Sequence, residues 1–263
     1  MTSKKILLAS LLITAVVINP AYSQRTKSSQ YAGSQRHAER SLKDHKYFFP
    51  FIDPSVSNYN IEDEKNIFTD AIRRDIIARS LFMKFSFNSS VVEVKKIQDM
   101  LIILFKKVIE RDSNEALAML NETAPEIMES GDARAKKYMS LGYRSVKWAR
   151  TTSMMSDNLP PTNYSVRLYE YVKAIKNAKY ARRYAILAII EKRLPAEKKG
   201  RINYNKYETV AELINVYLPE LKERYLKIHN DNFYKTDNSI LEKVTANPEL
   251  QKIPEYADYM KGN

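Results

Sequence analysis

Apolar side chains recur every three or four residues along most of the chain, which is the spacing of one buried face of an α-helix. The clearest case runs from Tyr164 to Arg193, thirty residues without Pro or Gly. We predict a helix of about 45 Å over this stretch. Its predicted buried face consists of Leu168, Tyr171, Ile175, Ala178, Ala185 and Ala188.

The same spacing predicts helices on both sides of this stretch. They are expected from Asn60 to Phe82, Val91 to Arg111, Asn114 to Leu120, Asp132 to Met155, Tyr207 to Tyr217 and from Pro219 through Ile228. Ser113 and Thr123 are expected to cap short helices, with Pro125 near the start of one of them. No segment alternates as a strand does. The predicted fold is all-α: an elongated or bent bundle of long helices with short helices near the C-terminus and no sheet.

The N-terminus has the pattern of a signal peptide. Lys4 and Lys5 precede the apolar run Ile6–Ile18, and Ala21-Tyr22-Ser23 offers the small residues of a cleavage site. We therefore predict a signal peptide over residues 1–23. The chain contains no Cys, and an exported chain of this size without Cys suits a bacterial periplasm.

The exported part divides into an arm and a helical domain. Residues 24–46 are polar and basic without helical spacing, and we expect a flexible arm there. Residues 47–263 form the predicted helical domain, with a possible sub-boundary at 159–161 because two successive prolines end a helix. The aromatic group Tyr47–Phe51 is expected either to close the end of the core or to anchor another chain.

Charge narrows the class of partner. The chain has 43 Lys and Arg against 31 Asp and Glu, a net charge of +12. From Tyr164 to Arg201, eleven Lys and Arg stand against three Glu. Export argues against nucleic acid and favours an acidic polymer, lipid head groups or an acidic protein surface.

The sequence offers no clear set of catalytic or metal-binding residues. His37 and His45 lie in the predicted arm and His229 stands alone near a helix end, where a surface position is expected, and the glycines are scattered singly. Glu110 with Asp112, or Glu126 with Glu129, could serve as paired carboxylates in a glycan-cleaving enzyme, but neither pair sits in an obvious apolar pocket that would raise the pKa of one carboxyl. We predict no enzymatic activity, no cofactor and no metal.

Tyrosine interleaved with Lys and Arg is the candidate binding feature. Tyr provides a large contact area at low entropic cost, and Arg both stacks and pairs with carboxylates. The predicted protein-binding face consists of Arg167, Tyr169, Lys173, Lys176, Lys179, Tyr180, Arg182, Arg183 and Tyr184. The alternative is that these long side chains only solvate the outer face of a core helix.

Membrane binding by this helix is disfavoured, because the side opposite the charge is mainly Ala and Ile rather than Trp, Phe or Leu. Further along the chain, Met154 and Met155 are expected to be filler in the core rather than an adaptable partner surface.

The proline-bounded segment Asn163-Tyr164-Ser165-Val166-Arg167-Leu168-Tyr169 lies in a basic, Tyr-rich chain of long helices without Cys. In this character, over residues 47–263, the chain resembles the flagellar coiling proteins that coat the periplasmic flagella of certain spirochaetes. The resemblance implies a non-enzymatic sheath component that contacts the filament and neighbouring coat subunits and supports the curvature needed for motility.

We therefore expect a periplasmic structural protein that binds a larger assembly, most simply the flagellar filament, through the Tyr164–Arg193 helix. Its partners would be other proteins with acidic surfaces, without nucleic acid and without stable membrane insertion. The alternative is a periplasmic adaptor or chaperone-like module that binds peptides or envelope glycans.

Overall fold

The computed structural model describes residues 32–247, and within them the predicted all-α fold is confirmed: an elongated helical bundle without a strand. The helices are α1 (residues 32–59), α2 (Glu62–Met83), α3 (Phe87–Glu129), α4 (Ala133–Asp157), α5 (Tyr164–Arg193), α6 (Tyr207–Tyr217), α7 (Lys222–Asn232) and α8 (Ile240–Thr245). Short 3-10 helices lie at Ala196–Lys198 and Pro219–Leu221. The predicted signal peptide and residues 248–263 lie outside the described residues.

Several predicted boundaries agree with the structure. Both ends of α5 and of α6 are where the apolar spacing placed them. Asp132 caps α4, since its carboxylate accepts hydrogen bonds from the backbone N–H groups of Arg134 and Ala135 at 2.9 and 3.0 Å. Helix α2 begins after the predicted Asn60: its N-cap position is Ile61, and Asn60 takes a left-handed backbone conformation with φ 49°.

The first helix differs from the prediction of a flexible arm. Residues 32–46 are helical, with Ala38 and His45 fully buried. The helix continues through Pro50 and Pro54 to residue 59, although proline removes a backbone donor each time. Burial of the aromatic group outweighs that loss: Phe48, Phe49, Phe51 and Ile52 all lie in the core, as the core-closing interpretation expected. Residues 24–31 lie outside the described part.

The third helix was predicted as a helix from Val91 to Arg111 followed by short ones, and it is a single helix of 43 residues. Pro125 lies inside it, and the Thr123 hydroxyl donates to the Met119 carbonyl oxygen at 2.9 Å instead of capping a new helix. Ser113 is likewise buried within the helix. Apolar residues before and after these positions share one buried face, and tertiary packing of that face overrides the local stop signals.

Two apolar clusters form the core, one at each end of α3 and α5. The first joins α1, α2 and α8 to residues 94–109 of α3 and 168–175 of α5. The second joins α4, α6 and α7 to residues 116–127 of α3 and 181–190 of α5. The long helices α3 and α5 therefore run through both clusters.

The chain reverses at Pro160 and Pro161, so that α4 and α5 pack against each other along their lengths. Within residues 32–247, none of the helices combines the length and the apolar character that a membrane-spanning segment needs.

Candidate functional site

Helix α5 is the central helix of the bundle rather than an outer one. Sixteen of its thirty residues are buried, and it packs against α3, α4, α6 and α7. All six residues of its predicted apolar face are buried, as expected. Burial extends to charged residues as well, including Lys179, Arg182 and Glu191. Only a narrow strip of α5 is left for a partner.

The nine residues predicted as a binding face consequently separate into two groups. At 3.6 residues per turn, six of them share one strip of the helix: Tyr169, Lys173, Lys176, Tyr180, Arg183 and Tyr184. The other three, Arg167, Lys179 and Arg182, point elsewhere and are partly or fully buried. The prediction of an outward-facing basic surface is wrong for these three residues.

Arg182 is the clearest correction, because none of its surface is exposed (0%). Its guanidinium donates to Asp112 Oδ1 at 3.1 Å and to the Tyr59 hydroxyl at 2.7 Å, and it also pairs with Asp231. Glu115 accepts a further hydrogen bond from it at 3.1 Å. A buried guanidinium needs such partners, since an unpaired charge in the interior is very unfavourable.

Lys179 is the second buried cation, 3% exposed. Its ammonium donates to Asp231 Oδ1 at 2.7 Å, to the Asp231 carbonyl oxygen at 2.6 Å and to the Ser55 hydroxyl at 2.9 Å. Burial lowers the pKa of Lys179 despite the Asp231 charge. Burial alone would raise the pKa of Asp231, but the charges of Lys179 and Arg182 outweigh it and hold that pKa well below its ordinary value.

Asp112 completes the arrangement from α3. Asp112 Oδ2 lies 3.0 Å from Arg182 Nη2, and Asp112 Oδ1 lies 3.2 Å from Arg111 Nη2. The Arg111 guanidinium also pairs with Glu64. Burial raises the pKa of the Asp112 carboxyl, and the neighbouring guanidinium groups oppose that rise. We call the charged residues gathered here the buried ion cluster: Arg111, Asp112, Glu115, Lys179, Arg182 and Asp231.

The buried ion cluster has a structural role rather than a docking role. On α3, the charged residues of the cluster lie between the segments that belong to the two apolar clusters. On α5, Lys179 and Arg182 lie where the first apolar cluster gives way to the second. Its hydrogen bonds join α1, α3, α5 and α7 at fixed positions along each helix. Charged groups buried in this way can define the register of packed helices, because a shift of either helix would leave charges unpaired.

Aromatic rings lie along the remaining strip of α5, some of them exposed and some partly or largely buried. Tyr169 stacks on Tyr47 of α1 at 5.7 Å between ring centroids, and Tyr47 stacks on Phe51 at 6.0 Å. Phe51 contacts Tyr234, at the end of α7, at 5.4 Å. Tyr180 and Tyr234 lie close enough for the phenol of Tyr180 to contribute to the raised pKa of Tyr234, after burial and the charge of Asp231.

The row continues toward the C-terminal end of α5. Tyr180, 49% exposed, stacks on Tyr184 at 6.4 Å, and Tyr184 stacks on Tyr138 of α4 at 6.1 Å. From Tyr169 to Tyr184 the row is about 22 Å long, at 1.5 Å per residue. Because the rings pack on one another, their conformations are restricted before any partner arrives.

Two lysines stand beside these rings. Lys173 pairs with Glu170 at 2.6 Å, whereas Lys176 has no carboxylate partner in residues 32–247 and lies 6.0 Å from the centroid of Phe51. Arg183 is directed away, donating to the carbonyl oxygen of Tyr204 at 2.6 Å. We call the exposed group the tyrosine face: Tyr47, Tyr169, Lys173, Lys176, Tyr180 and Tyr234.

The carboxylate pairs considered in the sequence do not come together as a site. Glu110 is exposed while Asp112 is in the buried ion cluster, and Glu126 pairs with Lys192 while Glu129 is exposed. No group of three or more potential metal ligands occurs in the described part of the chain.

Two of the three histidines in the described part, His45 and His229, are buried and have structural contacts, whereas His37 is exposed. The prediction of a surface position for His229 is wrong: it is buried, stacks on Tyr207 at 4.6 Å, and its Nε2 lies 2.9 Å from the Tyr207 carbonyl oxygen. His45 is buried beside Asp75, with Nδ1 2.7 Å from Oδ1.

Sequence analysis missed two parts of the exposed surface. Tyr47 and Tyr234 join the tyrosine face from distant positions, and no local pattern in the sequence indicates that contact. On α4, Met154 and Met155 are exposed, so the expectation of core filler is wrong. Helical spacing could have found this second case, since Met154 and Met155 lie off the buried side formed by Gly142, Val146 and Ala149.

Comparison with known families gives one match. The family model described as surface protein adhesin OmpL37 matches residues 32–258, which is most of the chain and includes every described residue. The chain belongs to this family. No curated protein and no solved structure matches it significantly.

The match with a surface-protein family supports the broader part of the expectation from the sequence, a non-enzymatic exported protein with a binding role. The matching family is described as a surface protein adhesin and not as a flagellar coiling protein. The flagellar part of that resemblance stays a prediction.

Proposed function

We propose that this protein is a non-enzymatic surface protein that holds a protein partner through the tyrosine face. The observation that carries the proposal is the group of exposed tyrosine rings along α5, Tyr169 stacked on Tyr47 and Tyr180 stacked on Tyr184. Lys176 lies beside them and has no carboxylate partner in residues 32–247. The description of the family as an adhesin supports a binding role outside the cytoplasm. No catalytic residue is assigned.

The tyrosine face suits binding for two physical reasons. Tyrosine has few rotatable bonds, and rings that are already stacked lose little conformational freedom when a partner covers them. In addition, Lys173 and Lys176 favour acidic groups near the contact. The proposed partner is therefore a protein surface in which carboxylates surround an apolar patch or a patch of exposed backbone.

The buried ion cluster supports this role indirectly. Lys179 and Arg182 hold the buried side of α5 through ion pairs with Asp112 and Asp231, so the exposed rings belong to a helix with a fixed position. Binding groups held by a rigid element are more effective than the same groups on a mobile loop.

Adhesion of purified protein to a panel of immobilised extracellular matrix proteins tests the proposal. The Tyr169→Ala, Tyr180→Ala double variant should bind any panel member that captures the wild type at least tenfold more weakly, as expected when exposed aromatic anchors are removed. The matched control is Phe85→Ala with Met128→Ala, which removes two exposed apolar side chains that lie off the tyrosine face. Unchanged adhesion of the tyrosine variant would overturn the proposal.

The flagellar coat and the transient adaptor expected from the sequence are narrower versions of the same proposal with different partners. They differ in where the protein is found. Protease treatment of intact cells removes a protein exposed on the cell surface, whereas a coat protein is protected and co-purifies with periplasmic filaments. Recovery in neither place, but in the free periplasmic fraction, favours the adaptor.

A further inference from the structure

Helix α4 exposes three large apolar side chains on its outer side. Trp148 is 58% exposed, Met154 66% and Met155 62%. The opposite side of the helix, including Gly142 and Ala149, is buried against the bundle. Exposed apolar side chains gathered on one helix in this way mark an interaction surface more often than isolated ones do.

Cations surround these apolar side chains. Lys137, Arg144 and Lys147 are exposed on the same side of α4, and none of them forms an ion pair within residues 32–247. Arg150 next to them is held by a hydrogen bond to Asn114 Oδ1 at 3.0 Å. Between Ala133 and Asp157 the sole acidic residue is Asp157 itself, at the far end.

Helical geometry brings the two sets together. At 3.6 residues per turn, the three exposed cations and the three exposed apolar side chains project within about a third of the circumference of the helix, over a length of about 27 Å. We call this set the basic face of α4: Lys137, Arg144, Lys147, Trp148, Met154 and Met155. It shares no residue with the tyrosine face.

We propose that the basic face of α4 docks the protein on the surface of an anionic phospholipid bilayer, with the helix lying parallel to the membrane plane. The ammonium and guanidinium groups contact lipid phosphates, and Trp148, Met154 and Met155 enter the boundary between head groups and acyl chains. This is the arrangement of an interfacial helix, which needs both unpaired cations and apolar side chains on the membrane side.

A bilayer fits this face better than an acidic protein does. The face is the convex outer side of one helix, so a protein partner would need a matching groove, whereas a lipid surface adapts to it. Tryptophan is the side chain most favoured at the membrane interface, where its ring is partly apolar and its N–H reaches water. Lys and Arg stems also extend along apolar surface while their charges reach the phosphates.

The single tryptophan of the chain makes the proposal directly measurable. Vesicles of phosphatidylcholine with about one-third phosphatidylglycerol should shift Trp148 fluorescence to shorter wavelength and pull the protein into the pellet, and added salt should weaken both effects. Vesicles of phosphatidylcholine alone should do neither. Equal binding to the two vesicle types, or pelleting without a spectral shift, would overturn the proposal.

Two matched triple variants locate the contact. Lys137→Gln, Arg144→Gln, Lys147→Gln should weaken vesicle binding roughly a hundredfold, because each basic residue near an anionic membrane contributes about a fivefold effect. Lys173→Gln, Lys176→Gln, Lys206→Gln removes the same number of exposed charges elsewhere and should change binding much less. All these side chains are exposed, so circular dichroism should show wild-type folding for both variants.

Two further outcomes contradict the proposal. Equal weakening by both triple variants would show attraction by net charge alone. A spectral shift of the same size with dextran sulfate in place of vesicles would show that α4 binds any soluble polyanion. An acidic protein would then fit this face as well as a bilayer does. Retention of the shift with anionic vesicles only would support docking on lipid.

Discussion

Helices α4 and α5 are both strongly basic, yet they use their charge in opposite ways. Helix α5 has eight Lys and Arg against two Glu, and α4 has six against one Asp. Six of the eight cations of α5 form ion pairs within the described residues, two of them in the buried ion cluster. On α4 only Arg134 does, at 3.8 Å from Glu191.

The position of each helix in the bundle explains the difference. Helix α5 lies among α3, α4, α6 and α7, so carboxylates from α3 and α7 reach Lys179 and Arg182 in the interior, away from water. Helix α4 lies at the edge, packs mainly on α5 and α3, and leaves one side to solvent. Basic composition alone therefore does not show which cations are exposed, because the position of the helix in the fold decides that.

The largest expected effect is the loss of protein stability when one arginine is replaced on α5 rather than on α4. Arg182→Met on α5 leaves Asp112 and Asp231 buried with too little positive charge, and we expect a loss of about 3–5 kcal/mol in the free energy of unfolding. Arg144→Met on α4 is the matched control and should stay within about 0.5 kcal/mol of the wild type. Urea denaturation followed by circular dichroism measures both.

Equal stability of the two methionine variants would contradict the buried position of Arg182. Because Arg182 is buried, an Arg182→Glu variant would report on the stability of the fold and not on a binding surface.

The next effect concerns pH and the same cluster. Lys179 and Arg182 hold the pKa of Asp231 below that of an unfolded Asp, about 3.9. The stabilisation from this carboxylate is thus fully present above pH 4 and is lost as the pH falls through the pKa of the folded state. Asp231→Asn should be clearly less stable than the wild type at pH 7, and the difference should narrow below pH 4.

Urea denaturation at a series of pH values measures that difference, with Asp237→Asn, at an exposed position between α7 and α8, as the control. If the difference in the free energy of unfolding between the wild type and Asp231→Asn stays constant from pH 7 to strongly acidic conditions, ionisation of Asp231 does not stabilise the folded state.

The smallest effect compares the starts of the two helices. Asp132 caps α4 with two hydrogen bonds, and Asp132→Ala should cost about 1 kcal/mol. Asn163 stands before α5 without a side-chain capping bond, so Asn163→Ala should cost clearly less. Thermal unfolding of the two variants tests this order. A larger loss at Asn163 would show that the start of α5 is held by its side chain after all.

Local pattern was sufficient for several elements. The bounds of α5 and α6 and the cap at Asp132 follow from apolar spacing, proline positions and capping chemistry, which act within a few residues of the chain. The same local rules were wrong for α3, where Pro125 lies inside the helix, and for residues 32–46, where burial of Ala38 and His45 gives a polar sequence a place in the bundle.

The sequence by itself determined that the protein is helical and basic and where its central helix begins and ends, because these depend on periodicity and composition. Only the tertiary structure decided which basic residues are available to a partner. Asp112 and Asp231 lie far from Arg182 along the chain but meet it in the interior, and Tyr47 and Tyr234 reach Tyr169 and Tyr180 from other helices. Exposure depends on neighbours in space, and no pattern within one helix specifies them.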